Sequence, residues 1–282
     1  MKAIQLYLNS AGHCLAKEHH ALWGGQRKNI QFKALFGLIK HDKLGWILYD
    51  TGYTDRFYDA THKFPSSLYA KITKVEIEKE DEVVAQLKRF GIQPQDIKHI
   101  IITHFHADHV GGLKDFPNAT VYCSKEAYHY TVKLNKTLSF SKGVLKDLLP
   151  DDLGERVKFI EDVGHEFEDE IFGTSFDLFG DNSILTFNLP GHAAGQIGIK
   201  VRTAKKTYFL MADACWTHLA YKQNKLPHPI VRLLFSSWKD YKQTVDKLSQ
   251  YHQQHPDVIM VPTHCNETLD QVIQHEIDLN VL

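Results

Sequence analysis

The chain has 282 residues, 24% of them charged and 43% apolar, and its 33 Lys and Arg nearly balance 34 Asp and Glu at a formal net charge of −1. That balance leaves no electrostatic footprint for nucleic acid, and no run approaches the roughly 18 consecutive apolar residues of a membrane span. The length suits one large α/β or sandwich domain, or two modest ones, and allows a substantial core.

The N-terminus, "MKAIQLYLNSAGHCLAKEHH", has a short apolar run but no sustained hydrophobic stretch and no clear small-residue cleavage site, so a cytoplasmic protein is expected. Residues 30–52 read as two strands around the polar turn "KHDKLG", ending at Asp50-Thr51-Gly52. From Tyr53 to Thr73 aromatic and small polar residues mix without a clean period, which predicts a long loop or short helices lying over a surface. In "EKEDEVVAQLKRFGI", Val83, Val84, Leu87 and Phe90 recur at helical spacing behind an acidic first turn, with Gly91 as the stop. The strand "HIIIT" follows.

Next come "ATVYCS" as strand, "KEAYHYTVKL" as helix and a less regular span to about Asp152. Short β-like runs then dominate: "RVKFIE", "ILTFNL", "IGIKV" and "TYFLMA". The C-terminal part returns to helix in "SSWKDYKQTVDKLSQYHQQ", then strand in "DVIMVP", then a last helix. Strand clusters at the start and in the second half, each with helices attached, predict two sheets packed face to face with helices outside. With no internal repeat and no low-complexity linker, one domain is the simpler reading.

Chemistry concentrates in "IIITHFHADHVGGL", residues 100–113, where a buried-looking strand runs straight into His104, His106, Asp108 and His109. In extended backbone, residues two apart point the same way, so His104 and His106 can aim at one centre while the turn through Asp108 and His109 aims at a second. Mixed imidazole and carboxylate donors suit zinc, with iron, manganese and cobalt also compatible. Three more strands end in a candidate ligand: His192 after "LTFNL", Asp213 after "TYFLM" and His264 after "DVIMV". Four strand ends of this kind can converge on one edge of a sandwich and hold two metals close together.

The remaining histidines and the cysteines read differently. His41, His62 and His252 sit among polar neighbours and are expected at the surface. Cys14, Cys123, Cys215 and Cys265 lack C-x-x-C spacing and are expected as free thiols, with Cys215 and Cys265 as small buried filler.

In its H-x-H-x-D-H motif, and in "YDTGY", "PGHAAGQ", "MAD" and "PTH" in that order, the sequence from about residue 30 to His264 resembles the metallo-β-lactamase superfamily. The resemblance implies an αβ/βα four-layer sandwich, two mixed β-sheets with helices outside, with its site at one edge. It implies a first metal on His104, His106 and His192, a second on Asp108, His109 and His264, Asp213 bridging them, and Asp50 buried behind the ligands to orient them. The activity implied is hydrolysis by a dinuclear, zinc-type centre with a bridging hydroxide, acting on an ester, lactone, thioester or phosphoester of a small molecule. Asp108 would also orient the hydroxide as a catalytic group.

The stretches "QLKRFGIQPQDIKHIIITHFHADHVGGL" and "FPNATVYCSKEAYHY" are similar to the branch containing N-acyl-homoserine-lactone lactonases and methyl-parathion-hydrolase-like enzymes. Those lactonases carry a tyrosine three residues after the bridging aspartate, where this chain has Trp216. An indole N–H donates a hydrogen bond but does not shuttle a proton. Trp216 and Tyr221 are the expected pocket residues in that segment, and Phe57, Tyr58, Phe64 and Tyr69 the aromatic candidates in the earlier loop. A homodimer is compatible with the same aromatic segments. The competing functions are an iron-dependent oxidoreductase of the same fold, a nuclease of the ribonuclease Z type, which the neutral charge disfavours, and a non-catalytic binding or regulatory member.

Overall fold

Alternation along each strand divides the apolar residues between two sheet faces, and this division fixes the layers. In a computed structural model, which describes residues 4–273, seven strands form the first sheet. They are β1 (Gln5–Lys17), β2 (Asn29–His41), β3 (Gly45–Tyr49), β4 (Lys74–Glu76), β5 (Ile97–Ile101), β6 (Thr120–Cys123) and β7 (Val157–Phe159), in the order β4-β1-β2-β3-β5-β6-β7. The second sheet runs β13-β12-β11-β10-β9-β8, from β8 (His165–Asp169), β9 (Gly173–Asp177), β10 (Ile184–Asn188), β11 (Ile197–Arg202), β12 (Thr207–Leu210) and β13 (Val258–Val261). Both sheets are mixed. β3, β5, β6 and β7 pair in parallel beside the antiparallel β1–β2–β3 run, and parallel β12–β13 closes an otherwise antiparallel second sheet.

Leu35, Ile39, Ile47, Tyr49 and Ile101 point from the first sheet into a shared core, where they meet Ile184, Ile197, Ile199, Val201, Leu210 and Val261 of the second. The alternate residues Phe36, Leu38, Leu48 and Ile100 face outward and are covered by Val83 and Leu87 of helix Val83–Arg89. Across the molecule, Phe187, Phe209 and Met260 pack under Tyr241, Val245, Leu248 and Tyr251 of helix Trp238–Gln254. Those four helical residues keep the spacing of one face, and Ser237 caps the helix by accepting the Asp240 N–H at 3.3 Å. Burial of each such side chain is worth about 1.5–3 kcal/mol. The result is the expected four-layer arrangement of helix, sheet, sheet and helix.

Three details differ from the sequence reading. β1 pairs with β2 along nearly its whole length, yet its alternation is broken by a bulge between Ser10 and His13, which hides the strand in a period-two search. β7 arises among the second-half strands but joins β6 in the first sheet. His41 is 4% exposed, with its Nε2 2.9 Å from Asp181 Oδ2, because β2 carries it under the 177–183 turn. Among the described residues no helix is long and apolar enough to cross a membrane.

Candidate metal centre

Strands β3, β5, β10, β12 and β13 end at one edge of the sandwich and deliver Asp50, His104, His192, Asp213 and His264 there. Close backbone packing makes this geometry available. Gly111, after the histidine motif, lies so near the Asp50–Tyr53 loop that an added Cβ would sit 2.5 Å from the Gly52 carbonyl oxygen. Gly191, before His192, has φ +126°, and a Cβ there would meet the Tyr241 backbone nitrogen at 2.2 Å. Only glycine fits both constraints at Gly191.

The donors fall into two groups: His104, His106 and His192, then Asp108, His109, Asp213 and His264. In the first, His192 Nε2 lies 3.0 Å from His106 Nδ1, and buried His104 Nε2 has no hydrogen-bond partner. In the second, Asp108 Oδ2 is 3.4 Å from both His109 Nε2 and His264 Nε2. Asp213 touches both groups: Oδ1 lies 3.4 Å from His109 Nε2, and Oδ2 lies 3.2 Å from His192 Nε2 and 3.0 Å from His264 Nε2.

Burial and charge set different protonation in the two groups. Burial first, then neighbouring imidazoles, pushes His104 well below the usual histidine range, and burial takes His192 down to about 3. Those rings are neutral lone-pair donors. Burial opposes ionisation of Asp108, but His109 and His264 outweigh it and hold the carboxyl at about 2. Asp213 is likewise held well below its ordinary value, against burial, by His264 and His192. The carboxylates in turn raise His109 and His264 despite their burial. This second group is balanced by positive charge, which a divalent cation also supplies. Neutral imidazoles, ionised carboxylates and an unpartnered ring nitrogen together fit a pair of borderline metal ions.

Behind the donors, Asp50 Oδ2 accepts a hydrogen bond from His109 Nδ1 at 2.7 Å and one from the Thr103 hydroxyl at 2.9 Å, while Oδ1 accepts the Thr103 N–H at 2.9 Å. With its proton on Asp50, the Thr103 oxygen faces His104 Nδ1 at 3.1 Å and accepts from it. One carboxylate therefore orients two rings, one directly and one through Thr103. His264 Nδ1 donates to the Lys33 carbonyl at 2.9 Å, and its ring stacks on Phe32 with centroids 4.6 Å apart. Thr103, Phe32 and Lys33 were not legible as site residues. Thr103 carries a signal only once Asp50 is placed, and Phe32 and Lys33 are ordinary strand residues brought in by β2.

The donors open onto a cavity of about 670 Å³, lined by His106, Asp108, His192, Asp213 and His264 at one wall and by Phe32, Tyr69, Ile72, Phe140, Trp216, Leu233 and Leu234 elsewhere. Trp216 is buried, with its indole N–H unpartnered and its ring against Phe32, His192 and Phe235. Tyr221, its expected companion, does not line this cavity. One helical turn beyond Trp216, it is directed into the packed layer against His252. Of the earlier loop's aromatic candidates only Tyr69 lines the cavity; Phe57 is buried in the core, and Tyr58 and Phe64 are exposed.

Comparison with known proteins agrees with this geometry. N-acyl homoserine lactonase AttM of Azorhizobium caulinodans is 30% identical over 234 residues, 80% of this chain and 82% of that protein. The protein of the same name from Rhizobium radiobacter is 28% identical over 271 residues, 94% of each. Among solved structures, an N-acyl homoserine lactone hydrolase with its product N-hexanoyl-L-homoserine at the catalytic metal centre superposes with a TM-score of 0.74 at 20% identity, covering 96% of this chain and 97% of that one. AidC, a dizinc quorum-quenching lactonase, superposes at 0.61 with 14% identity, covering 94% and 90%. The family model described as the metallo-beta-lactamase superfamily matches residues 33–253, and with its two-sheet sandwich and donor-bearing edge the chain belongs to that superfamily.

Proposed function

We propose that the chain is a hydrolase that uses two metal ions, zinc foremost, to cleave the ester bond of a lactone or open-chain ester, with thioesters and phosphoesters as neighbouring substrate classes. His104, His106 and His192 would hold one ion and Asp108, His109 and His264 the other, with Asp213 shared. The observation that carries the reading is the opening of both donor groups onto one largely apolar cavity of a size suited to a small molecule. The relatives named N-acyl homoserine lactonase support the ester and lactone class. The match over residues 33–253 supports reading the chain as one domain.

When bound, a pair of such ions supplies Lewis-acid polarisation of the scissile carbonyl and a hydroxide nucleophile near neutral pH. The protein's residues supply orientation. Asp50 and Thr103 hold His109 and His104 in their tautomers, and the Lys33 carbonyl does the same for His264. Asp108, ionised and on the cavity wall, accepts a hydrogen bond from the attacking water and aims it. Trp216 offers its free N–H to a substrate oxygen, and Phe32, Ile72, Leu233 and Leu234 take up an apolar acyl portion. Because an indole does not transfer its proton, Trp216 favours substrates whose leaving oxygen needs no general acid.

The test combines metal analysis of protein purified without added metal with a panel of lactones, thioesters, aryl esters, phosphotriesters and β-lactams. Close to two equivalents of metal and turnover of lactones or esters are expected. A well-folded preparation that is active and metal-free would overturn the reading.

A further inference from the structure

Cys265 follows His264 directly, but its side chain serves a different neighbourhood. His264 Nε2 contacts Asp213, whereas Cys265 Sγ lies 3.3 Å from His218 Nδ1 and donates to Glu267 Oε2 at 3.5 Å. The three donor atoms lie within 4.8 Å of one another, and the trio shares no residue with either group at the sandwich edge. For a tetrahedral ion with Zn–S near 2.3 Å and Zn–N or Zn–O near 2.0–2.1 Å, neighbouring ligand atoms stand roughly 3.5 Å apart. The sulfur–nitrogen and sulfur–oxygen separations already have that length. The third separation, between His218 and Glu267, lies within 4.8 Å, and Glu267 is an exposed side chain.

Burial raises the Cys265 thiol above its ordinary range, so a bound cation would have to displace its proton, and the hydrogen bonds donated to the sulfur suit it for that. Sγ accepts the His218 backbone N–H at 3.2 Å and the Thr268 hydroxyl at 3.3 Å, outer hydrogen bonds of the kind that orient a ligand and stabilise its charge. The thiol hydrogen bridges sulfur and carboxylate, where a cation would take its place and the proton would leave to water. Cys265 is buried, His218 half-buried and Glu267 exposed, so the trio is anchored within the protein and open on one side.

We propose that His218, Cys265 and Glu267 form a third metal site, separate from the two at the sandwich edge, which takes a borderline or soft divalent cation such as zinc with water as the fourth ligand. The ion would join the start of helix His218–Gln223, just after Trp216, to the start of helix Asn266–Val272, just after His264. Its occupancy would therefore fasten a cavity-wall segment to a ligand-bearing one. The inference does not depend on the hydrolase reading, because it concerns a sulfur donor that neither edge group contains.

Cobalt(II) is the probe, added to the full-length protein with metal content followed by elemental analysis. A thiolate-to-cobalt charge-transfer band in the near ultraviolet should appear and saturate with one equivalent beyond those held by the His and Asp groups. Cys265→Ser should abolish the band while retaining the metal of the edge groups, and Cys14→Ser, which changes a cavity-lining thiol, should keep it. Glu267→Gln, at an exposed position that leaves folding intact, should weaken the extra equivalent by on the order of tenfold or more. Absence of the band in the unmodified protein, or its survival in Cys265→Ser, would overturn the proposal. A band and third equivalent unaffected by Glu267→Gln would remove the carboxylate from the site and overturn it as stated.

Discussion

Asp50 Oδ2 lies 2.7 Å from His109 Nδ1, and neither side chain has any exposed surface. A buried carboxylate with that partner fixes which ring nitrogen faces Asp108 and Asp213. Asp50→Asn keeps the shape but gives up the ionised acceptor shared by His109 and Thr103. It should weaken metal affinity by about 10- to 100-fold with the fold intact, read by competition with a chromogenic chelator. Unchanged affinity would show that the hydrogen bond positions nothing.

Asp213 is the side chain that contacts both groups, with Oδ2 between His192 and His264 and Oδ1 beside His109. Asp213→Ala should lower the occupancy of both groups together and cost more turnover than the ~10- to 100-fold of an outer-sphere change. Elemental analysis beside kinetics decides the matter. Loss of one equivalent with near-normal turnover would contradict a shared role.

Trp216 lines the cavity and carries an unpartnered indole N–H, which donates a hydrogen bond but transfers no proton. Trp216→Tyr should raise kcat on acyl-homoserine lactones, by up to ~10²-fold if the new hydroxyl reaches the leaving oxygen. KM should change little, since the contact belongs to the transition state. Strong lactonase activity in the unmodified protein would show that the indole is no obstacle.

Gly191 combines φ +126° with backbone of the 238–254 helix where a Cβ would go. Gly191→Ala should cost on the order of 3 kcal/mol or more, because neither the dihedral nor the helix backbone can yield cheaply. The displaced His192 should also lower metal content. Denaturant unfolding with an unchanged midpoint would refute the packing argument.

The convergence of the seven candidate side chains is legible because each segment follows a short apolar strand, a pattern that places a side chain at a sheet edge whatever the tertiary detail. His104, His106, Asp108 and His109 announce themselves by spacing, and the later donors gain meaning from strands that end the same way. β1 is not legible as a strand because its bulge breaks the alternation that identifies one. The stack of Phe32 on His264 and the Lys33 carbonyl that orients the same ring depend on how β2 docks beside β13's end, which no local pattern encodes. Proximity to Trp216 in sequence suggests a pocket role for Tyr221, but the helix starting at His218 carries it into the packed layer.

Neither sheet owns a complete donor set. His104, His106, Asp108 and His109 follow β5 of the first, whereas His192, Asp213 and His264 follow β10, β12 and β13 of the second, and each group draws on both. Affinity for a metal would therefore be a property of the docked pair of sheets, and a chain opened between them would retain only fragments of either group. By thermodynamic linkage, a cation that binds the docked form alone returns its binding energy as resistance to unfolding, about 4 kcal/mol at a thousandfold excess over Kd. The same ions that would perform the chemistry would then act as a clasp between the two halves of the sandwich, so chelation should loosen exchange-protected amides in β5 and β12 together.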